Sequence, residues 1–448
     1  MKDSVGYALS GCDARAIDPY EQAVHAFRCL AGDPVALVDA ALSASPELVM
    51  GHALRAWLYL LSTEAAAVEV ARASLAAARA LPHDRREGLH LLAIERLCAG
   101  RWHDAARVLE DLSAEWPLDA LALQAGQQID FFVGDSRMLR DRIARALPAW
   151  SPAVPGWHAV LGMYAFGLEE TGDYASAERL GRRAVELEPR DAWAQHAVAH
   201  VLEMQERRDE GVDWMLGQSG WRDCGLLLVH NSWHLALHHL ARGEADRALA
   251  LYDGPVGAGS AAIELVDASS LLWRLELAGV DVGDRWGSLA ARWAPHAGAG
   301  HYAFNDLHAA MAFARAGRED LLEAVREAQA EAAGRDDDNA GFTRDVGAPA
   351  TEAFAAFARG DAARAVSLLR PIRSRAHRFG GSHAQRAVLD LTLLAAARRS
   401  PEHRALARAL EAESSAMGDL RRGTLALRTS GTSRPSDARA ASARADAA

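Results

Sequence analysis

The sequence predicts an all-α fold, an α-solenoid in which tetratricopeptide-like helix pairs stack into a right-handed superhelix. Three observations carry the prediction: strand formers are scarce, a small-residue motif recurs on a fixed period, and the length suits a repetitive array. Half of the 448 residues are hydrophobic, yet only 6% are aromatic and six are Ile. Runs such as Ala76-Ala77-Ala78-Arg79-Ala80-Leu81 favour helix over strand. A chain of 448 residues by itself fits two or three domains as well as one array, so the repeats decide.

The clearest repeat is Gly172-Asp173-Tyr174-Ala175-Ser176-Ala177, followed by Ala184, Leu187 and Pro189. This is the spacing of the second half of a tetratricopeptide unit, whose period is about 34 residues. Two antiparallel helices approach closely only where a small residue faces the neighbour, here Ala177, and Pro189 ends the second helix. One period on stands Gly211, with Ala199 in the matching place of the preceding helix. The pattern returns at Gly100 to Ala105, closing with Pro117, at Gly243 to Ala248, and at Gly360 to Ala365. Weaker copies pass through Ala56 and through Ala310 to Gly317. The predicted organisation is an N-terminal arm at 1–14, a solenoid at 15–423 and a disordered tail at 424–448, where Ser, Ala, Arg and Asp offer no periodic apolar face. Within the array, breaks are expected at Ser151 to Pro155, Gly254 to Gly259 and Arg335 to Asn339. Each helix pair is expected to bury its apolar face only against its neighbours.

Composition removes several function classes. The formal charge is −11, from 49 basic and 60 acidic residues, and no basic stripe is available to hold nucleic-acid phosphates. Neither a leader at Met1-Lys2-Asp3-Ser4 nor a run of about 18 apolar residues is present, so a soluble, cytoplasmic protein without membrane contact is expected. Cys12, Cys29, Cys98 and Cys224 form no C-x-x-C pair and read as buried packing, with Cys224 a weak nucleophile candidate beside His230. No Walker loop, G-x-S-x-G or G-x-G-x-x-G after a strand occurs. Gly380-Gly381-Ser382 reads as the turn that starts a helix.

The histidines carry the functional signal. Nine of the 18 His fall within residues 196–308, a quarter of the chain. In the repeat register the first helix of each pair lines the concave side, and His196, His200 and Glu203 share one face of such a helix at i, i+4 and i+7. His230 and His234 repeat the i, i+4 spacing in the next unit, with Asn231 between them. Asp267 and Ser270 begin the following first helix, and Asn305, Asp306 and His308 another. Three readings stay open for the resulting groove. The histidines serve as structural hydrogen-bonders, as is expected of His238 and His239, with Trp193, Trp214, Trp233 and Trp273 as core. Alternatively His196, His200, His230 and His234 hold a divalent metal, with Glu203, Asp267 or His308 completing the shell, although Ala197 replaces the Glu of a zincin H-E-x-x-H. Or the groove binds a small polar molecule and uses His for acid or base chemistry.

These segments also bring a resemblance. The stretches H-A-V-A-H-V-L-E-M (His196 to Met204), H-N-S-W-H-L-A-L (His230 to Leu237), V-D-A-S-S-L-L-W-R-L (Val266 to Leu275), F-N-D-L-H-A-A-M-A (Phe304 to Ala312), R-D-V-G-A-P (Arg344 to Pro349) and G-G-S-H-A-Q-R (Gly380 to Arg386) resemble the tetratricopeptide repeat protein 38 family over about residues 15–410. The resemblance implies a helical-repeat fold and brings no settled reaction or cofactor. Ala387 departs from the family's usual Asp after Q-R, and from about Glu411 the chain no longer follows the family's final helix.

The leading expectation is a concave pocket for a small polar ligand, catalytic or metal-binding. Its acid, base or ligand groups are His196, His200, His230, His234 and His308, oriented by Glu203 and Asp267. Asn231, Ser270, Asn305, Asp306, Arg344, Asp345 and Arg386 are expected to contact the ligand. The rival is a non-catalytic adaptor holding a peptide or protein in the same concavity.

Overall fold

The computed structural model describes residues 1–218, 220–222, 225 and 227–422. Cys224 and the predicted tail at 424–448 lie outside the described residues. Among the described residues there are helices and no strands, the one β-type contact being an isolated bridge between Lys2 and Ala8. None of these helices is long and apolar enough to cross a membrane.

Helices pack as neighbouring pairs along the chain. Val49–Leu60 packs on Ala65–Arg79, Arg85–Cys98 on Trp102–Glu115, Ala120–Phe132 on Ser136–Ala146, and Trp157–Glu169 on Tyr174–Leu187. The order continues with Ala192–Met204 and Arg208–Gly217, Leu228–Ala241 and Ala245–Leu251, Ala262–Leu277 and Arg285–Trp293, and Ala303–Ala316 and Glu319–Ala333. Ala348–Ala358 with Ala362–Ile372, and His383–Arg399 with Arg404–Arg422, close the series. Local sequence explains the boundaries. Asp173 and Asp191 cap the helices that follow them by accepting the Ser176 and Ala194 amides, and Leu187 is the last helical residue before Pro189. Ala177, Ala184 and Ala199 are fully buried at the crossings. Gly211 is required at its crossing, since a Cβ there would lie 2.3 Å from the His238 ring.

Several details differ from the sequence reading. The 1–14 arm is tied down: Ala8 accepts a hydrogen bond from Arg86 at 2.9 Å, and the Tyr7 hydroxyl accepts the Leu118 amide at 3.2 Å. Residues 335–339 are only partly loop, because Asp337 caps a short helix, Asp338–Phe342. Tyr252–Val256 is a π-turn extending the preceding helix into the expected Gly254 to Gly259 break. The last helix runs on to Arg422 and packs on His383–Arg399 despite the departure from the family pattern near Glu411.

The largest difference is closure. An open array would leave its concave face to solvent, but here distant turns meet across it. The Glu64 carboxylate accepts the Ala262 amide at 2.8 Å, Asn305 donates to the Thr63 carbonyl at 3.1 Å, and the Tyr302 hydroxyl donates to the Phe132 carbonyl at 2.9 Å. His383 donates its amide to Glu170 at 2.8 Å. The expectation that each pair touches only its neighbours is therefore corrected. First helices from both halves face one another, and the groove between them becomes interior.

Candidate metal centre

The i, i+4 spacing places His196 and His200 on one face of Ala192–Met204, and His230 and His234 on one face of Leu228–Ala241. These helices are consecutive first helices, so the two faces meet. The four imidazoles form a closed cluster, with ring centroids 4.4 Å apart for His196 and His200, 4.4 Å for His200 and His234, 4.7 Å for His196 and His230, and 4.8 Å for His230 and His234. One nitrogen from each lies within 4.8 Å of all the others, and the Nε2 atoms of His196 and His230 are 3.0 Å apart. A tetrahedral ion at about 2.05 Å from each donor requires donor separations of about 3.3 Å, so small side-chain rotations suffice.

Carboxylates stand behind the rings. Asp267 Oδ2 lies 2.8 Å from His230 Nδ1, and Glu203 Oε2 lies 2.8 Å from His234 Nδ1. Glu169 Oε2 lies 3.6 Å from His200 Nδ1. A carboxylate on Nδ1 places the ring proton there and leaves the Nε2 lone pair directed into the cluster. Unmet valences remain on three of its rings: among the described residues His234 Nε2, both nitrogens of His200 and Nδ1 of His196 are buried without a hydrogen-bond partner, while the Nε2 atoms of His196 and His230 share one hydrogen bond. Each such orphan costs about 1–3 kcal/mol.

Electrostatics agree with the geometry. His196, His200 and His234 are held well below the ordinary histidine pKa, first by burial and then by repulsion among the neighbouring imidazoles. They are neutral, as metal ligands must be. Burial and the nearby Glu170 and Glu203 carboxylates push Glu169 well above the usual carboxylate range, and burial pushes Glu203 up. Glu170 is the exception. Burial would raise it too, but His383, Arg386 and His200 outweigh that and bring it down to about 2.

A cavity of about 240 Å³ adjoins the cluster. His196, His200, His230 and Asp267 form its polar end, while Phe27, Leu58, Leu61, Phe131 and Trp193 supply apolar walls. Its lining comes largely from first helices of both halves of the chain, so closure creates it. The concavity expected to be polar is thus apolar over most of its wall.

The other predicted residues lie elsewhere. His308 is fully buried, but its Nδ1 faces its own helix at the Phe304 carbonyl, 2.8 Å away, and its ring packs on Phe304 rather than on the cluster. Asn231 donates to the Ala192 carbonyl at 3.4 Å, and Ser270 accepts Arg274. Asn305 ties two turns together through Thr63, and Asp306 is buried at a separate small hollow beside it. Arg344 caps the Ala333 carbonyl, and Asp345 pairs with Arg378 at 2.6 Å. Arg386 reaches the Gly381 carbonyl and stands 3.6 Å from Glu170. These seven polar residues and His308 are absent from the cavity lining because helix ends and inter-turn contacts engage or enclose them.

Glu169 was not among the predicted residues. It occupies the same place in its repeat as Glu203 does one period later, and each precedes its histidine by the same separation, 31 residues for Glu203 and His234. Repeating the register one unit upstream is the signal that finds it.

His25, Cys29 and His158 form another group with close donors. There the Arg190 guanidinium lies 3.0 Å from His25 Nε2, so a fixed cation already faces the group. No protein-family model matches the chain.

Proposed function

We propose that this chain is a metal-binding helical-repeat protein of the tetratricopeptide protein 38 type. His196, His200, His230 and His234 hold one divalent first-row transition-metal ion, and the adjoining cavity brings a small molecule to it. The observation that carries this reading is directional: one nitrogen from each of the four rings converges within 4.8 Å, the buried His200 nitrogens and His234 Nε2 have no hydrogen-bond partner among the described residues, and carboxylates sit on Nδ1 of His230 and His234. Imidazole ligands suit zinc, copper, nickel or iron. Four neutral donors leave the ion its full positive charge, which the carboxylates on Nδ1 of His230 and His234, Asp267 and Glu203, offset at the next layer out. In that role Glu203 and Asp267 are positioning residues, and His196, His200 and His230 face the cavity. The ion's chemistry there is that of a Lewis acid toward a donor atom of the bound molecule.

The adaptor reading loses support from closure. The concave surface that would receive a peptide is occupied by the chain's own helices, among them His383–Arg399 packed against Ala192–Met204 and Ala262–Leu277. Elemental analysis of purified protein, and of metal-free protein titrated with zinc, cobalt, nickel and copper, tests the proposal. The expected result is one ion per chain, lost in a His196→Ala, His230→Ala double variant that keeps its helical circular dichroism. Failure of the wild-type protein to retain any of these ions would overturn it.

A further inference from the structure

The walls of the cavity say more about its occupant than its polar end does. Phe27, Phe131, Phe132 and Trp193 give it aromatic faces, and Leu58 and Leu61 fill the spaces between them. At about 240 Å³ it is larger than the roughly 150 Å³ cavity that takes up benzene and smaller than the roughly 300–1,000 Å³ sites of drug-sized ligands. One or two rings fit.

Charge narrows the class. Among the described residues no Arg or Lys lines the cavity, so a carboxylate, sulfate or phosphate on the ligand would be desolvated without a counter-charge. A cationic ligand fares no better. Of the two carboxylates in the lining, Asp267 is engaged by His230 at 2.8 Å, and Glu264 accepts the Ser260 and Ala261 amides at 2.8 and 3.0 Å. The polar capacity lies mainly at the end where His196, His200 and His230 meet, where Asp267 Oδ1 is buried without a hydrogen-bond partner among the described residues; the Gln128 amide also lines the cavity. His234 is outside the lining, so the side from which a four-histidine ion could add a fifth ligand is turned to the cavity. Access is through the rim, where Ile263 is 38% exposed and Val35 is half-buried.

We infer that the cavity binds a neutral one- or two-ring aromatic molecule whose single nitrogen or oxygen donor adds a fifth ligand to the four-histidine metal centre. This rests on the metal reading above and replaces the polar ligand expected from sequence with an apolar body carrying one polar atom. Asp267 Oδ1 is placed to accept a hydrogen bond from an N–H or O–H next to that donor.

The test uses full-length protein loaded with cobalt, whose visible spectrum reports a change of ligand. Three probes are titrated: imidazole, 4-phenylimidazole and benzoate. Burial of the phenyl ring is expected to make 4-phenylimidazole bind about 10- to 100-fold tighter than imidazole, with benzoate the weakest. Filling the cavity by Leu58→Trp, or at the rim by Val35→Trp should the first variant not fold, is expected to abolish the phenyl advantage while cobalt stoichiometry is retained. Equal affinity for imidazole and 4-phenylimidazole, or an advantage surviving in the filled variants, overturns the inference and leaves the metal reading standing. Absence of cobalt binding overturns both.

Discussion

Two buried histidine and carboxylate groups in this molecule have similar composition and opposite character. In the first, His90 receives the Trp57 indole N–H at 3.2 Å on Nδ1 and faces Asp119 at 3.1 Å through Nε2, while Arg86 donates to Asp119 at 2.6 Å and Ala122 to its other oxygen at 3.0 Å. Both ring nitrogens and both carboxylate oxygens are engaged. Burial would raise the Asp119 pKa, but His90, Arg86 and the Ala122 amide outweigh it and hold the carboxyl below the usual range. In the second group, the four-histidine cluster, the equally buried rings of His196, His200 and His234 leave nitrogens without partners among the described residues. A polar group saturated by its own chain is structural, and one left open at a common point is a place for something else. Composition does not separate the two; the disposition of lone pairs does.

The largest expected effect falls on the saturated group. Asp119→Ala strands Arg86 in the interior and should cost about 3–5 kcal/mol in denaturant unfolding, yet whatever fraction folds should take up metal as the wild type does. A loss under about 1 kcal/mol would mean that the triad behaves as an exposed pair and that the contrast is misdrawn. The open group should respond to the ion instead. At a free metal concentration about 100 times its dissociation constant the folded state gains about 2.7 kcal/mol, seen as a rise in the melting temperature. That gain should vanish in His196→Ala, His230→Ala and survive in His90→Gln. A similar rise in the double variant would place the ion elsewhere.

A smaller effect isolates the carboxylates behind the rings. Asp267→Asn keeps the shape beside His230 but can present its amide N–H to Nδ1, which disfavours the tautomer that leaves Nε2 free. Metal affinity should fall about 10- to 100-fold at unchanged stoichiometry, measured by competition with a chromophoric chelator. Glu264→Gln, which alters the other carboxylate of the cavity lining, should leave affinity unchanged. Equal losses in the two variants would reduce the role of Asp267 to bulk charge.

How much of this was legible in the sequence follows from which contacts are local. The pairing of helices was readable because Ala177, Ala199 and Gly211 mark crossings between neighbours. The meeting of His196 and His200 with His230 and His234 was readable because i, i+4 spacing and a repeat period fix both the face and its neighbour, as the 34-residue separation of the contacting His196 and His230 shows. Asp267 and Glu203 followed from the same register. His308 did not, because its ring folds back on Phe304 within its own helix, a side-chain choice that spacing does not encode. Least legible was closure. The cavity wall joins Phe27 and Leu61 to Trp193 and Gln385, residues brought together by long-range contacts between distant helix pairs that no local spacing encodes. Polar residues at helix starts, such as Asn305 and Arg386, read as ligand contacts for that reason; they hold the returning turns instead.

Asp306 adds a third answer to the problem of a buried polar group, and its test is read as a slope against pH. Among the described residues it is neither saturated, since Oδ2 has no partner, nor gathered with other ligands. Burial raises its pKa to about 7, with Arg335 only partly opposing, so the side chain keeps its proton where an unfolded Asp, at about 3.9, has lost it. Below about pH 3.9 both states are protonated and the native advantage is complete; as pH rises toward 7 the unfolded chain releases a proton that the native one retains, and stability falls by about 1.4 kcal/mol per pH unit. Asp306→Asn removes the ionisation without changing the shape. The variant's stability relative to wild type should therefore grow between about pH 4 and about pH 7 and then level off, as read from urea unfolding across that range. The His196, His200 and His234 rings work in the reverse sense, since the unfolded chain gains protons they refuse as pH falls below about 6.5, but they are common to both proteins and cancel in the difference. A difference independent of pH would mean that Asp306 is ionised in the folded protein and has found a cation, which would move it from the neutralised class to the saturated one.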